Sequence, residues 1–194
     1  MAVLVTRLAR FMALLGGAVL LALIALTCVS VLGRGLNTFG HSALLGDLAP
    51  GLADALLTSG VGAVTGDFEV VEAGIAFAVF AFLPICQLKA GHATVDIFTD
   101  QLPAKVNRFL VAFWEVVLTL IVLLIAWRLF EGLQSKYSYG ETTFLLQFPV
   151  WWAYGASFVA AIIAGLIALY AAGTRVAGLL TGRDDLLIER GMHS

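Results

Sequence analysis

Charge is what this sequence has least of. Of its 194 residues only 12% are Asp, Glu, Lys or Arg, while 61% are hydrophobic, and the mean hydropathy is +0.99. A soluble domain carries roughly a quarter charged residues, so a chain this short folded in water would need a nearly uncharged surface. The 11 basic and 13 acidic residues, net −2, give no basic footprint for nucleic acid. Cysteine is almost absent: Cys28 and Cys86 both lie inside apolar runs, which excludes a disulfide framework and a cysteine-rich metal site. Histidine is equally scarce. His41, His92 and His193 all lie outside the apolar stretches, so no pair of them can ligate haem within a helix bundle. Nor is there a phosphate-binding glycine loop, an HExxH pair, or a Ser or Cys nucleophile beside a His base. Soluble, disordered and nucleic-acid-binding readings fall away together, a catalytic reading has almost nothing to stand on, and the bilayer is left as the solvent.

What is present is four apolar stretches, at about 11–32, 70–88, 109–130 and 150–172, each close to the ~20 helical residues that cross a hydrocarbon core. Backbone groups in lipid must be satisfied internally, which predicts α-helices, and no stretch alternates as a barrel strand would. The expected fold is an all-α integral membrane protein with four transmembrane helices in a single domain, 1–194. Positive charge orients it. Arg7, Arg10, Lys89, Lys105, Arg108, Arg175, Arg183 and Arg190 fall on one side and Arg34, Arg128 and Lys136 on the other, eight against three. Both termini are therefore expected in the cytoplasm. The first run is longer than the ~7–15 apolar residues of a secretory signal, so it reads as an uncleaved anchor.

The connections are not plain linkers. Between Gly33 and Asp67, leucines 44, 45, 48, 52, 56 and 57 recur at helical spacing, which predicts one or two short helices in the outer interface, broken at Pro50-Gly51. A flexible loop rich in leucine is the other reading. The stretch 89–103 puts Val95, Phe98 and Leu102 on one face and Asp96 and Asp100 on another, a short amphipathic helix stopped by Pro103. Before the fourth span, Phe148-Pro149-Val150-Trp151-Trp152-Ala153-Tyr154 combines a proline suited to a first helical turn with an aromatic interface belt.

Small residues recur every four positions at Ala156, Ala160, Ala164, Ala168 and Ala172, and at Ala9, Ala13 and Gly17. Such ridges allow close helix approach in lipid, either within the chain or against a membrane partner. Pro84 should bend or break the second span. Ionisable residues inside a membrane are functional candidates. Glu115 lies about 10 Å into the third span at 1.5 Å per residue and must be protonated, paired or facing protein, with Lys89 a candidate to meet it. Glu69 and Glu72 open the second span and Arg128 closes the third at about the same depth, which suggests an outer Glu–Arg pair.

In order and spacing these features resemble the small membrane subunit (DctQ-like) of tripartite ATP-independent periplasmic (TRAP) transporters over nearly the whole chain. The resemblance rests on the basic N-terminus, a first span closed by Arg34, and a carboxylate opening the second span (Glu69, with Glu72). It continues in Gly91-His92-Ala93-Thr94-Val95-Asp96, Leu102-Pro103 and Arg108, and ends in Pro149-Val150-Trp151-Trp152-Ala153-Tyr154. The stretch from Arg34 to Glu69 is longer than in compact members, and Pro84 stands near where the family often has Gly. The resemblance implies a bacterial inner-membrane subunit without substrate or ion site. It would support a large permease that moves carboxylate-type solutes with sodium, while a periplasmic binding protein delivers them. Partner-interface or structural candidates are then Arg34, Glu69, Glu72, His92, Asp96, Glu115, Arg128, Trp151, Trp152, Ala160 and Ala164. His92 and Asp96 either contact the partner or cap the interfacial helix. Two other readings compete: a small four-helix secondary transporter using Glu115, and a membrane-anchor subunit of an oxidoreductase.

Overall fold

The computed structural model describes residues 2–88 and 104–181. The expected amphipathic segment 89–103, with Lys89, His92 and Asp96, lies outside the described residues, as do Arg183, Arg190 and His193. Six helices follow one another: α1 (Ala2–Gly40), α2 (Ala43–Leu48), α3 (Pro50–Thr58), α4 (Asp67–Leu88), α5 (Ala104–Tyr139) and α6 (Trp151–Thr181). Four of them, α1, α4, α5 and α6, contain segments long and apolar enough to cross a membrane.

Each long helix outruns the apolar stretch that announced it, α4 only at its start and α6 only at its end. A hydropathy window finds the lipid-facing part of a helix, whereas Ala, Leu, Arg, Lys and Gln continue helical geometry through polar sequence. Stops are therefore set by local chemistry. Helix α5 ends where Gly140 takes φ +62, the left-handed conformation that closes helices cheaply only for glycine. Helix α2 is capped by the Ser42 hydroxyl, which accepts from the Leu45 N–H. In α3 Pro50 occupies the first turn, where its missing N–H costs nothing. The expected short helices are thus present in the α1–α4 connection, divided at Pro50. Pro149 stands two residues ahead of α6, in a tight hairpin bridged to Thr142, and its carbonyl accepts from the Trp152 N–H at 3.1 Å. Pro84 does not break α4. The helix runs through it to Leu88 with Pro84 fully buried, since packing against neighbours offsets the one backbone bond a proline removes.

The long helices stand in an open row rather than a closed bundle, in the spatial order α1, α4, α6, α5. Half of the apolar window of α6 is buried, against 17%, 17% and 11% for α1, α4 and α5, so α6 is the hub. Its Ala160, Ala161, Ala164, Ala168, Ala171 and Ala172 are all buried, and the Ala160–Ala172 ridge is spent on the chain's own packing; Ala156, at its start, is exposed. On α5 the buried stripe is Ala112, Glu115, Thr119 and Val122, at the spacing of three and four that defines one helical face. On α1 it is Ala9, Met12, Gly16, Leu23 and Ser30. The expected Ala9–Ala13–Gly17 ridge is rotated by one residue: nothing approaches Gly17, while a Cβ on Gly16 would meet the Ala81 Cβ at 2.9 Å. Near the chain's N-terminal end, Ala9, Leu88 and Ile167 form one cluster, which is where α1 and α6 come within reach of each other. Leu14, Leu21, Leu120, Leu124 and Leu166 are exposed, so α1, α5 and α6 turn apolar surface outward.

Candidate functional site

Polar side chains gather at the two ends of the row. At the end holding the α1–α4 and α5–α6 connections, Ser30 of α1 is fully buried. Its hydroxyl donates to the Asp67 carboxylate at the start of α4 and accepts from the Val64 N–H at 3.2 Å. Arg34, one turn further along α1, joins Asp67 at 3.1 Å. The second Asp67 oxygen accepts from the Phe68 N–H at 2.8 Å, and a carboxylate here also complements the positive end of the helix dipole. Helix α1 continues past Arg34 to Gly40, and Arg34 clamps α1 to α4.

Glu69 makes the second clamp. Its two oxygens accept the Leu145 and Leu146 N–H groups at 2.6 and 2.9 Å, tying the α5–α6 hairpin to α4. This corrects the expected outer Glu–Arg pair. Arg128 turns instead to Glu131 on its own helix at 2.7 Å, and Trp127 Nε1 donates to the other Glu131 oxygen at 2.9 Å. Hairpin amides outcompete an exposed guanidinium here because two backbone donors fixed in place cost little side-chain entropy, whereas an exposed ion pair yields little. Lys136 reaches Glu141 across the hairpin base. Trp151 packs edge-on against both Tyr137 and Trp152, with centroids 5.5 and 6.1 Å apart. Glu72 lies one turn below Glu69 and borders a cavity of about 440 Å³ between α4, α6 and the hairpin.

The opposite end holds the deepest carboxylate. Glu115 is 2% exposed and sits eleven residues into α5, about 16 Å along the helix. Arg175 of α6 meets it at 2.7 Å, itself only 14% exposed. Beside them the Thr119 hydroxyl donates to the Glu115 carbonyl at 2.8 Å, with the Ala168 carbonyl across the interface at 3.3 Å. Arg175 was missed as a site residue because apolar sequence ends near 172. The signal was nonetheless there: Arg175 follows Ala164, Ala168 and Ala171 at helical spacing, on the stripe that faces α5.

Among the candidates, then, the structure places Arg34, Glu69 and Glu72 at one end and Glu115 at the other, with Ala160 and Ala164 buried between them. It does not bring Arg128 to either glutamate. Among the described residues no three His, Cys, Asp or Glu side chains cluster as a metal site would require. The arrangement is a set of helix-to-helix fastenings, each carboxylate named above except Glu72 being engaged by a donor of the same chain.

The family model for the DctQ component of tripartite ATP-independent periplasmic transporters matches residues 58–181. The chain belongs to this family. It is a multi-pass membrane component of a TRAP transporter, a system in which DctQ proteins work with a permease and a substrate-binding protein. No curated protein and no solved structure matches it. The DctQ match opens at the end of α3 and takes in α4, α5 and α6. Helix α1, α2 and most of α3 precede it.

Proposed function

We propose that this chain, as one domain over 1–194, is the non-catalytic small membrane subunit of a sodium-coupled TRAP uptake system for carboxylate-type solutes, and that it scaffolds and stabilises the large permease subunit. The observation that supports this best is the pairing of Glu115 with Arg175. A carboxylate serving as proton or ion carrier must be free to change partners, and transport sites combine several converging polar groups with broken helices near the midplane. Here the deep carboxylate is tied to the same chain, and α4, α5 and α6 are continuous. The open row and its exposed apolar surface suit an element laid against a larger membrane protein.

The charge asymmetry supports an inner-membrane topology with both termini in the cytoplasm. That places α2, α3 and the α5–α6 hairpin at the periplasmic surface, where α2 and α3 lie in the interface and the binding protein docks transiently. His92 and Asp96 then sit on the cytoplasmic side, while Trp151 and Trp152 anchor α6 at the periplasmic boundary.

Co-purification tests the partnership. A large polytopic membrane protein should accompany the tagged chain from its native membrane at near-equal stoichiometry and should survive exchange into fresh detergent. Recovery of the chain alone in several mild detergents would overturn the scaffold reading, and a haem or quinone signal in the purified sample would point to the oxidoreductase anchor instead.

A further inference from the structure

The cavity of about 440 Å³ beside Glu72 is within the usual size range of ligand sites. Its walls are unusual for a helix junction in two respects. Small side chains, Ala73 and Ala76 of α4 and Ala153 of α6, leave an apolar space beside them that Phe80 also lines. Of the polar side chains that line it, Glu69 is already engaged by the Leu145 and Leu146 N–H groups and Thr143 by the Phe148 N–H, and Tyr154 stands toward its aromatic rim, which leaves Glu72 and Ser157. Glu72 borders it and is exposed. Ser157 lines it from α6, is 1% exposed, and its hydroxyl has no hydrogen-bond partner. A helical serine in lipid ordinarily returns its hydroxyl to the carbonyl four residues back, and a buried hydroxyl left unmade costs free energy. This one is held ready for an acceptor.

Depth identifies the occupant. Glu72 and Ser157 both lie five to six residues below the starts of α4 and α6, about 8–9 Å. Trp151, Trp152 and Tyr154 stand just above them, and such aromatic belts settle at the headgroup level of a bilayer. Tyr154 itself lines the cavity. A phospholipid at this level would bring its headgroup to Glu72, its ester carbonyls to Ser157, and an acyl chain to the apolar floor. The sign of Glu72 selects the headgroup: it rejects an anionic lipid and favours a cationic group, and a carboxylate is best satisfied by an N–H donor.

The geometry points to a site for an amine-bearing phospholipid, phosphatidylethanolamine, held between α4 and α6 with its ammonium donating to the Glu72 carboxylate and a glycerol ester accepting from the Ser157 hydroxyl. Phosphatidylcholine has the same charge but no N–H, so the site distinguishes the two. This inference is independent of the scaffold reading, since it concerns what the chain binds on its own.

Native mass spectrometry of the full-length chain in detergent, with equimolar dioleoyl phosphatidylethanolamine, phosphatidylcholine and phosphatidylglycerol, tests it. Phosphatidylethanolamine should be retained about tenfold over the other two, the size of one charge-assisted hydrogen bond. Glu72→Gln should abolish that preference. Ala76→Phe fills the cavity while leaving the carboxylate in place, and should remove retention with helix content unchanged. Equal retention of the three lipids, or a preference unaffected by both variants, overturns the proposal. A photoreactive residue at position 76, activated in native membranes, separates lipid from protein. A phosphatidylethanolamine adduct supports the site, and a polypeptide adduct shows that a partner subunit fills the cavity instead.

Discussion

Glu115 and Arg175 set the energetics at the scale of single residues. Two charges brought this far from water repay their desolvation only when paired closely and hydrogen-bonded, and the 2.7 Å contact meets that condition. Removing one partner is therefore worse than removing both. Arg175→Met should destabilise the chain by about 3–5 kcal/mol by stranding a buried carboxylate, whereas Arg175→Met combined with Glu115→Gln should recover much of the loss. Thermal unfolding of the three proteins in one detergent measures this, and additive losses would show that the pair is not coupled. Glu69 offers a second case with a different readout. Glu69→Ala should release the α5–α6 hairpin and speed hydrogen exchange at the Leu145 and Leu146 amides, because their acceptor is gone. Arg128→Gln, which removes the ion pair to Glu131 on its own helix, should leave those two amides unchanged.

Between helices, register decides what a substitution does. Gly16 faces Ala81 and Gly17 faces open space, so Gly16→Leu should force α1 from α4 at about 1–3 kcal/mol. Gly17→Leu should stay within about 0.5 kcal/mol. Denaturant titration of helix content distinguishes them, and equal losses would contradict the packing of α1 on α4. This pair also shows how far the sequence could be read. The period-four alanines of α6 mark its packing face from Ala160 to Ala172, because α6 is flanked on both sides there, while Ala156 of the same series is exposed. In α1 a one-residue choice of face separates Ala9–Met12–Gly16 from Ala9–Ala13–Gly17, and residue size alone does not choose when a methionine shares the interface. Glu69 was legible as a carboxylate opening a span, but its partners are backbone N–H groups of a hairpin, which carry no side-chain signature. Asp67, hidden at the edge of a polar connection, became visible only when α1 proved long enough to bring Ser30 and Arg34 beside it.

The whole molecule is a row whose hub, α6, is half buried while its neighbours turn most of their apolar surface outward. In lipid that surface has no hydrophobic penalty to escape, and association with a partner depends on fit and close packing. Five of the charges fasten elements together: α1 to α4 through Arg34 and Asp67, α4 to the hairpin through Glu69, and α5 to α6 through Glu115 and Arg175. Such fastenings fix the shape of the row, which is what the proposed scaffold role requires. Uptake into proteoliposomes, measured with a panel of radiolabelled carboxylates under an inward sodium gradient, tests this most directly. The account predicts accumulation only when the large permease and the binding protein are both present, and none with this chain alone. Accumulation by this chain alone, abolished by Glu115→Gln, would contradict it.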